Sequence, residues 1–324
     1  MVQCALITGF VSRTRDRFHE YNAEKSLEER LRMVSEMEGI DGVEVVYPYE
    51  VGEAAGAGSF RQLLNRYRLR VAAINVNVKA EPEFRNGGLT SARPEVRAKA
   101  VAFIKEAKEF ARAAGADKVT CCPLGDGYEF AFQADYARAW KHLVETLSEA
   151  ASHLPQVPLF IEYKPFETRG RCFVDTAAKT LCLLHDIGLK GLGVTIDFGH
   201  SLCAGENPAE TVSLIGESGH PFYIHINDND GRWDWDYFVA TKHLLEYAEF
   251  LYYLQRYGYR DYLTSDTSPT RWDIRGTFEA NARLTGKLWD LLGEMDKAEL
   301  EGLLAGDDYL QTWRLIEERI FGLR

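Results

Sequence analysis

No apolar run in this chain of 324 residues approaches the roughly 20 residues that cross a bilayer, which excludes a membrane-spanning helix. The N-terminus, MVQCALITGF, has neither a basic leader nor a long apolar core, so no secretory signal is expected and the setting is cytoplasmic. Cysteine is scarce: six residues, at 4, 121, 122, 172, 182 and 203, with no CxxC pair. That excludes a zinc ribbon or a dithiol redox motif and points to buried reduced thiols, with the neighbours Cys121 and Cys122 as the one place for a soft metal. Basic charge is short as well: 38 Lys and Arg face 49 Asp and Glu, for a net charge of −11. Nucleic acid and anionic membranes are therefore poor partners. The turn after the first strand-like run, ITGFVSRTRD, has one glycine and no GxGxxG, so the phosphate-binding turn of a dinucleotide fold is missing.

What the chain has is alternation. Eight runs rich in Val, Ile, Tyr and Phe read as strands: 3–9, 42–47, 70–78, 117–122, 157–163, 191–197, 220–226 and 261–266. Several are almost continuously apolar, the mark of a parallel sheet buried on both faces. Between them the spacing predicts helices over 25–38, 58–67, 93–115, 133–153, 173–188, 208–216 and 240–257, with two more over 278–293 and near 298–320. In the 93–115 segment Val101, Ile104, Ala107 and Ala111 fall on one face, and Pro94 sits where a missing N–H costs nothing. Eight strand–helix units predict an α/β chain closed as a (β/α)8 TIM barrel over residues 1–277, with extra C-terminal helices over 278–324 packed on the same domain. A doubly wound open sheet is the other arrangement that strand–helix alternation allows.

The last four strand-like runs each end in a polar side chain. Glu162 closes PLFIE, Asp197 and His200 close GLGVTIDFGH, His225 closes PFYIH and Asp266 closes DYLTSD. In a barrel the C-terminal strand ends converge on one mouth. Three carboxylates and an imidazole there would suit Mn²⁺, Mg²⁺ or Co²⁺ rather than a thiolate-seeking metal. Each residue also has a plainer role open to it: Asp197 as a helix cap, His225 as a hydrogen-bonded core histidine, Asp266 as a turn residue. After His225 the loop runs NDNDGRWDWDY, where Asp234 and Asp236 stand two apart; with His200 they offer a second cation position, for which Asp228 and Asp230 compete. Lys164, two residues after Glu162, would share its side of an extended strand and suit a substrate oxygen, or else leave for solvent before Pro165. Phe10, Phe84, Trp233 and Trp235 are candidate apolar walls.

The stretch IEYKPFE, the pair Asp197/His200, the His225 strand end and Asp234-Trp-Asp236 resemble the xylose isomerase-like TIM-barrel superfamily, and within it L-rhamnose isomerases most closely. The superfamily also holds ketose 3-epimerases, inosose dehydratases and endonuclease IV. FRNGGLTS at 84–91 resembles the superfamily's sugar-binding loops. The resemblance implies a structural metal on Glu162, Asp197, His225 and Asp266, and a catalytic metal on His200, Asp234 and Asp236. It places Lys164 on a substrate oxygen. The expectation that follows is a cytoplasmic, homo-oligomeric, manganese-dependent sugar isomerase holding one or two ions. It interconverts an unphosphorylated aldose and ketose by hydride shift, with Glu162, Lys164 and His200 in catalysis and Trp233 against the sugar. Asp rather than Glu at 266, together with Lys164, separates the chain from the epimerase pattern. A ketose 3-epimerase, a dehydratase or a C-glycoside-cleaving enzyme on the same barrel is the alternative, and a catalytically silent sugar-binding barrel a third.

Overall fold

A computed structural model of the chain describes residues 2–295 and 297–323. The eight strand runs form β1 (Gln3–Ile7), β2 (Gly42–Tyr47), β3 (Arg70–Val76), β4 (Val119–Cys121), β5 (Leu159–Glu162), β6 (Leu192–Asp197), β7 (Phe222–Ile226) and β8 (Tyr262–Ser265). They pair in parallel in chain order, and β8 returns to β1, so the sheet is a closed barrel. The helices are α1 (Leu27–Ser35), α2 (Ala57–Tyr67), α3 (Pro94–Ala114), α4 (Tyr136–Ser152), α5 (Ala177–Ile187), α6 (Phe198–Cys203), α7 (Pro208–Ser218), α8 (Leu244–Arg256), α9 (Ile274–Glu294), α10 (Lys297–Ala305) and α11 (Tyr309–Arg319). The expected division at residue 277 falls inside α9, the helix that follows β8.

Local chemistry sets the boundaries. Ser26 and Glu29 form a reciprocal capping box at α1. The Asp135 side chain accepts from Arg138 N, so α4 begins at Tyr136 rather than at 133. Asn207 caps α7, with Pro208 in the first turn. One expectation is corrected and one element added. The helix expected near 298–320 is two helices, broken at Gly306 and Asp307; Asp307 has φ +53° and Asp308 caps α11. The strand expected over 191–197 does end at Asp197; the short helix α6 that follows it is not among the expected helices, and it starts there because the Asp197 side chain accepts from His200 N at 2.8 Å.

Strand alternation sorts the side chains. Leu159, Ile161, Leu192, Val194, Ile196, Ile224 and Leu263 belong to the main core under the helices. On the opposite face, Ala5, Ala73, Phe160, Tyr223 and Tyr262 fill the barrel's lower interior as a separate apolar cluster. Continuing up that inner face brings Glu44 and Thr120, then Glu162, Asp197 and His225, all buried. The inner face is therefore lined by apolar rings and small residues, with Lys118 over Tyr223, at one end and by carboxylates and an imidazole at the other.

Candidate metal centre

Register brings the expected ligands together. Asp197 pairs with His225 across β6 and β7, and Thr195 pairs with Glu162 across β6 and β5. Asp266 follows β8, its backbone N–H donating to Ile226 O at 3.1 Å. Glu162, Asp197, His225 and Asp266 each offer a ligand atom, and these atoms lie within 4.8 Å of one another. Asp197 takes both roles that its position allowed: it caps α6 and faces the cluster.

His225 shows the electrostatic logic. Its Nε2 lies 3.1 Å from Glu44 Oε2, a carboxylate with no exposure. The Glu44 carboxylate also accepts from Asn75 and Thr120, so it is held rigidly. With Nε2–H donating to Glu44, Nδ1 presents its lone pair to the cluster. Nδ1 lies 3.4 Å from both Glu162 Oε1 and Asp266 Oδ2, yet is buried and makes no hydrogen bond. A buried lone pair facing carboxylate oxygens needs a cation between them. This donor set fits a divalent ion of hard or borderline character. Without one, a proton serves: burial pushes the His225 imidazole down, but Glu44 and Glu162 outweigh it and hold its pKa well above the ordinary value. The Asp197 carboxyl is raised to about 7, by burial first, with His200 opposing and Asp234, Asp266 and Glu162 adding to it.

The second expected group is arranged differently. His200 Nε2 lies 3.1 Å from Asp234 Oδ2, and Lys164 Nζ lies 2.7 Å from the same oxygen and 2.8 Å from Glu167 Oε2. Asp234 is thus spent on two cationic neighbours. Burial would raise its pKa, but Lys164 and His200 hold it well down. Lys164 is buried, which alone would depress its pKa; Asp234 and Glu167 hold it well up. Asp236 stands nearby in a left-handed turn, φ +49°, and its carboxyl is pushed up by burial and then by Asp234 and Asp266. Among the described residues His200, Asp234 and Asp236 do not gather ligand atoms as the first group does; the other trio that does is Cys122, Glu162 and His200. The rival aspartates have other work. Asp228 accepts from Lys242 N, His243 N and His243 Nδ1, and Asp230 accepts from Trp235 Nε1.

The candidate walls divide. Trp233 is half exposed and stacks on Phe166 with centroids 6.1 Å apart, and Trp235 stacks on Tyr237. Phe84 is buried edge-on against Phe103 and is core, not wall; Phe10 is half-buried against the core. The 84–91 loop is stapled down by Asp126, which accepts from Leu89 N, Thr90 N and Thr90 Oγ1. It borders a cavity of about 610 Å³ that no member of the first cluster lines. Cysteine burial holds for Cys4, Cys121, Cys122 and Cys172, whereas Cys182 is exposed. Glu44, Asn227, Asn229 and Glu167 are site residues that motif reading missed. Glu44 carried a signal: it is the one charge in the apolar run GVEVVY.

A closed parallel barrel with a carboxylate–imidazole cluster at its C-terminal mouth defines a class, and the comparisons name it. Residues 31–285 match the family described as Xylose isomerase-like TIM barrel, so the chain belongs to that family. A curated relative, the xylose isomerase of Thermus thermophilus, is 26% identical over 191 residues, covering 57% of this chain and 49% of its own length. The chain thus spans about half the length of the curated relatives it matches. Among solved structures, an L-ribulose 3-epimerase superposes with a TM-score of 0.73 at 20% identity, over 93% of this chain and 98% of its own. An IOLI protein with a binding zinc atom superposes with a TM-score of 0.68 at 14% identity, over 91% and 100%.

Proposed function

We propose that this protein is a divalent-metal-dependent sugar isomerase that interconverts an unphosphorylated aldose and ketose. The observation that carries the reading is the pair Glu162 and Lys164, two residues apart on the inner face of one strand end, one in a ligand cluster and the other a buried ammonium beside it. A bound divalent ion would supply Lewis-acid polarisation of the sugar's vicinal oxygens. Lys164 has three donors; Asp234 and Glu167 take two, and the third is left for a substrate oxygen that gains charge. Asp234 Oδ2, between Lys164 Nζ and His200 Nε2, stays ionised and holds both side chains in place. Trp233 on Phe166 offers an apolar face to the sugar's C–H groups and excludes water. Manganese is the ion this donor set suits best, with Mg²⁺ and Co²⁺ as substitutes. The xylose isomerase names among the relatives, and the zinc held by the IOLI protein, support a metal-using sugar enzyme.

The whole-length likeness to an L-ribulose 3-epimerase favours a second reading, proton exchange at C3 of a ketose with Glu162 as base. Isotope fate separates the two. Turnover of a panel of free pentoses and hexoses in D₂O with Mn²⁺ should give an aldose–ketose pair with little carbon-bound deuterium. Near-stoichiometric deuterium at C3 of a recovered ketose would establish the epimerase instead.

A further inference from the structure

We infer that the cavity between the loops after β3 and β4 is a binding site for a small phosphate-bearing anion, held by Arg85, Arg93 and Arg138 and separate from the metal cluster. The inference goes beyond the isomerase reading and uses none of its residues.

Four arginines line this cavity of about 610 Å³: Arg85, Arg93, Arg138 and Arg169. They gather in a chain whose net charge is −11. The two acids in the wall are already engaged. Glu83 receives Lys99 Nζ at 2.6 Å, and Asp135 caps α4 by accepting from Arg138 N at 3.0 Å. Arg169 is engaged as well. It is buried, donates to both oxygens of Glu129 and reaches Gly125 O at 2.9 Å, so it ties the loop after β5 to the loop after β4 and builds the wall. The other three guanidiniums are exposed and largely free. Arg85 makes no hydrogen bond or ion pair among the described residues. Arg138 Nε lies 3.9 Å from Asp135 Oδ2, beyond hydrogen-bond reach. Arg93 uses Nε alone, on Glu95 at 2.8 Å, and keeps both terminal nitrogens.

Like charges around one concavity repel, and a shared anion removes that repulsion. Guanidinium forks match the oxygens of a phosphate, two donors to two acceptors. The neutral donors agree with this. Ser91, 8% exposed, accepts from Arg93 N at 3.3 Å, and its own O–H donates to nothing among the described residues. Both α3 and α4 begin at this rim, and α3 has no side-chain cap, so their N-termini add partial positive charge. The wall is preformed. Asp126 staples Thr90 from behind, and a Cβ at Gly87 would stand 2.8 Å from both Asp126 Oδ1 and Thr90 Oγ1, so nothing larger than glycine fits that turn. The volume leaves room for the ester of a small alcohol or sugar as well as for the phosphate itself. A nucleic acid would lay its neighbouring phosphates against a net-acidic chain, so the ligand is a small molecule.

The test is calorimetric titration of the full-length, Mg²⁺-loaded protein with glycerol 3-phosphate and, separately, with inorganic phosphate. The expected result is one anion bound per chain, with an affinity that falls as salt rises. Arg85→Gln and Arg138→Gln should each weaken it by about tenfold or more, and the double variant should abolish it. Both side chains are exposed, so circular dichroism should stay that of the native protein. Arg85→Lys should recover part of the loss. Glu162→Gln removes a member of the metal cluster and should leave anion binding intact, so failure of the metal reading and failure of this one read separately. Tighter binding of glycerol 3-phosphate identifies the ligand as an ester and equal binding identifies it as the inorganic ion; either supports the site. No saturable binding by the native protein, binding that survives the double variant, or binding lost in Glu162→Gln would overturn it.

Discussion

Glu44 is an acid in the middle of a buried strand, and its partners explain why a charge is kept there. Its carboxylate takes Asn75, Thr120 and His225 Nε2 as donors from three other strands. Its work is to hold the His225 ring with Nδ1 turned toward Glu162 and Asp266. Glu44→Gln should therefore lower divalent-metal affinity by roughly 10–100-fold while the fold persists, read by calorimetric titration with circular dichroism as the control. Unchanged affinity would leave Glu44 as packing only. Asp197 sets the pH dependence. Its carboxyl lies at 3.8 in the ordinary case and about 7 here, so between those values the folded metal-free chain keeps a proton that the unfolded chain has lost. The stability this group contributes is present below about pH 4 and lost as pH rises through 7. A divalent ion needs the Asp197 anion and the free His225 Nδ1, so affinity should climb with pH through 7 and go on climbing above it while the His225 proton is displaced. Titration in two buffers of different ionisation enthalpy would show the released proton; a pH-independent affinity with no proton release would contradict the assignment. At this scale sequence reading named the four members of the cluster but not what orients them. Ligands announce themselves at strand ends, whereas a supporting carboxylate is defined by neighbours on other strands: Glu44 on β2 meets His225 on β7 across the closed barrel.

Two short elements position the ionisable groups. Helix α6 begins on Asp197, and Gly199 within it lies against Asn227 and Asn229. Gly199 N donates to Asn227 Oδ1, Asn227 Nδ2 donates to the Asp197 carboxylate, and Asn229 Nδ2 donates to Gly199 O and to Asp234 Oδ1. A Cβ at 199 would stand 2.4 Å from Asn227 Oδ1 and 2.7 Å from Asn229 Nδ2. Gly199→Ala should thus displace both amides, weaken metal binding by tenfold or more (about 1.4 kcal/mol) and lower turnover. The second element is the loop 228–237, closed by paired backbone hydrogen bonds between Asp228 and Tyr237. Asp228 also anchors the chain at Lys242 and His243, which is why α8 starts at Leu244 and not at 240. Asp228→Ala should cost about 1–2 kcal/mol of stability, because it strands part-buried donors, while the metal count per chain stays that of the native protein. Loss of a metal equivalent would return Asp228 to the ligand list. The strands were legible because a buried parallel strand is written in consecutive apolar residues. Helix α6 and the break at Gly306 were not, because a single cap or a single left-handed residue decides them.

For the whole molecule, closure of the sheet is what turns four scattered strand ends into one site. Glu162 and Asp266 are far apart in sequence, yet their ligand atoms fall within 4.8 Å of one another because β5 to β8 are consecutive staves. Alternation and strand count made that closure readable from the chain, and the inward residues followed from their parity. The loops after β3, β4 and β5 were less readable, since Asp126 ties the first to the second and the short ribbon of Gly127–Tyr128 with Arg171–Cys172 ties the second to the third. No helix among the described residues is long and apolar enough to cross a membrane. In the proposed function Glu162, Asp197, His225 and Asp266 would hold the divalent ion on which turnover depends. The direct measurement strips the protein with chelator, restores Mn²⁺ in steps, and follows bound metal and aldose–ketose turnover together, for the native chain and for Glu162→Gln. The expected result is that native activity vanishes on stripping and returns with the first bound equivalent, while Glu162→Gln neither fills at that concentration nor regains turnover. Full occupancy and full turnover in Glu162→Gln would contradict the assignment, as would native turnover that survives complete removal of metal.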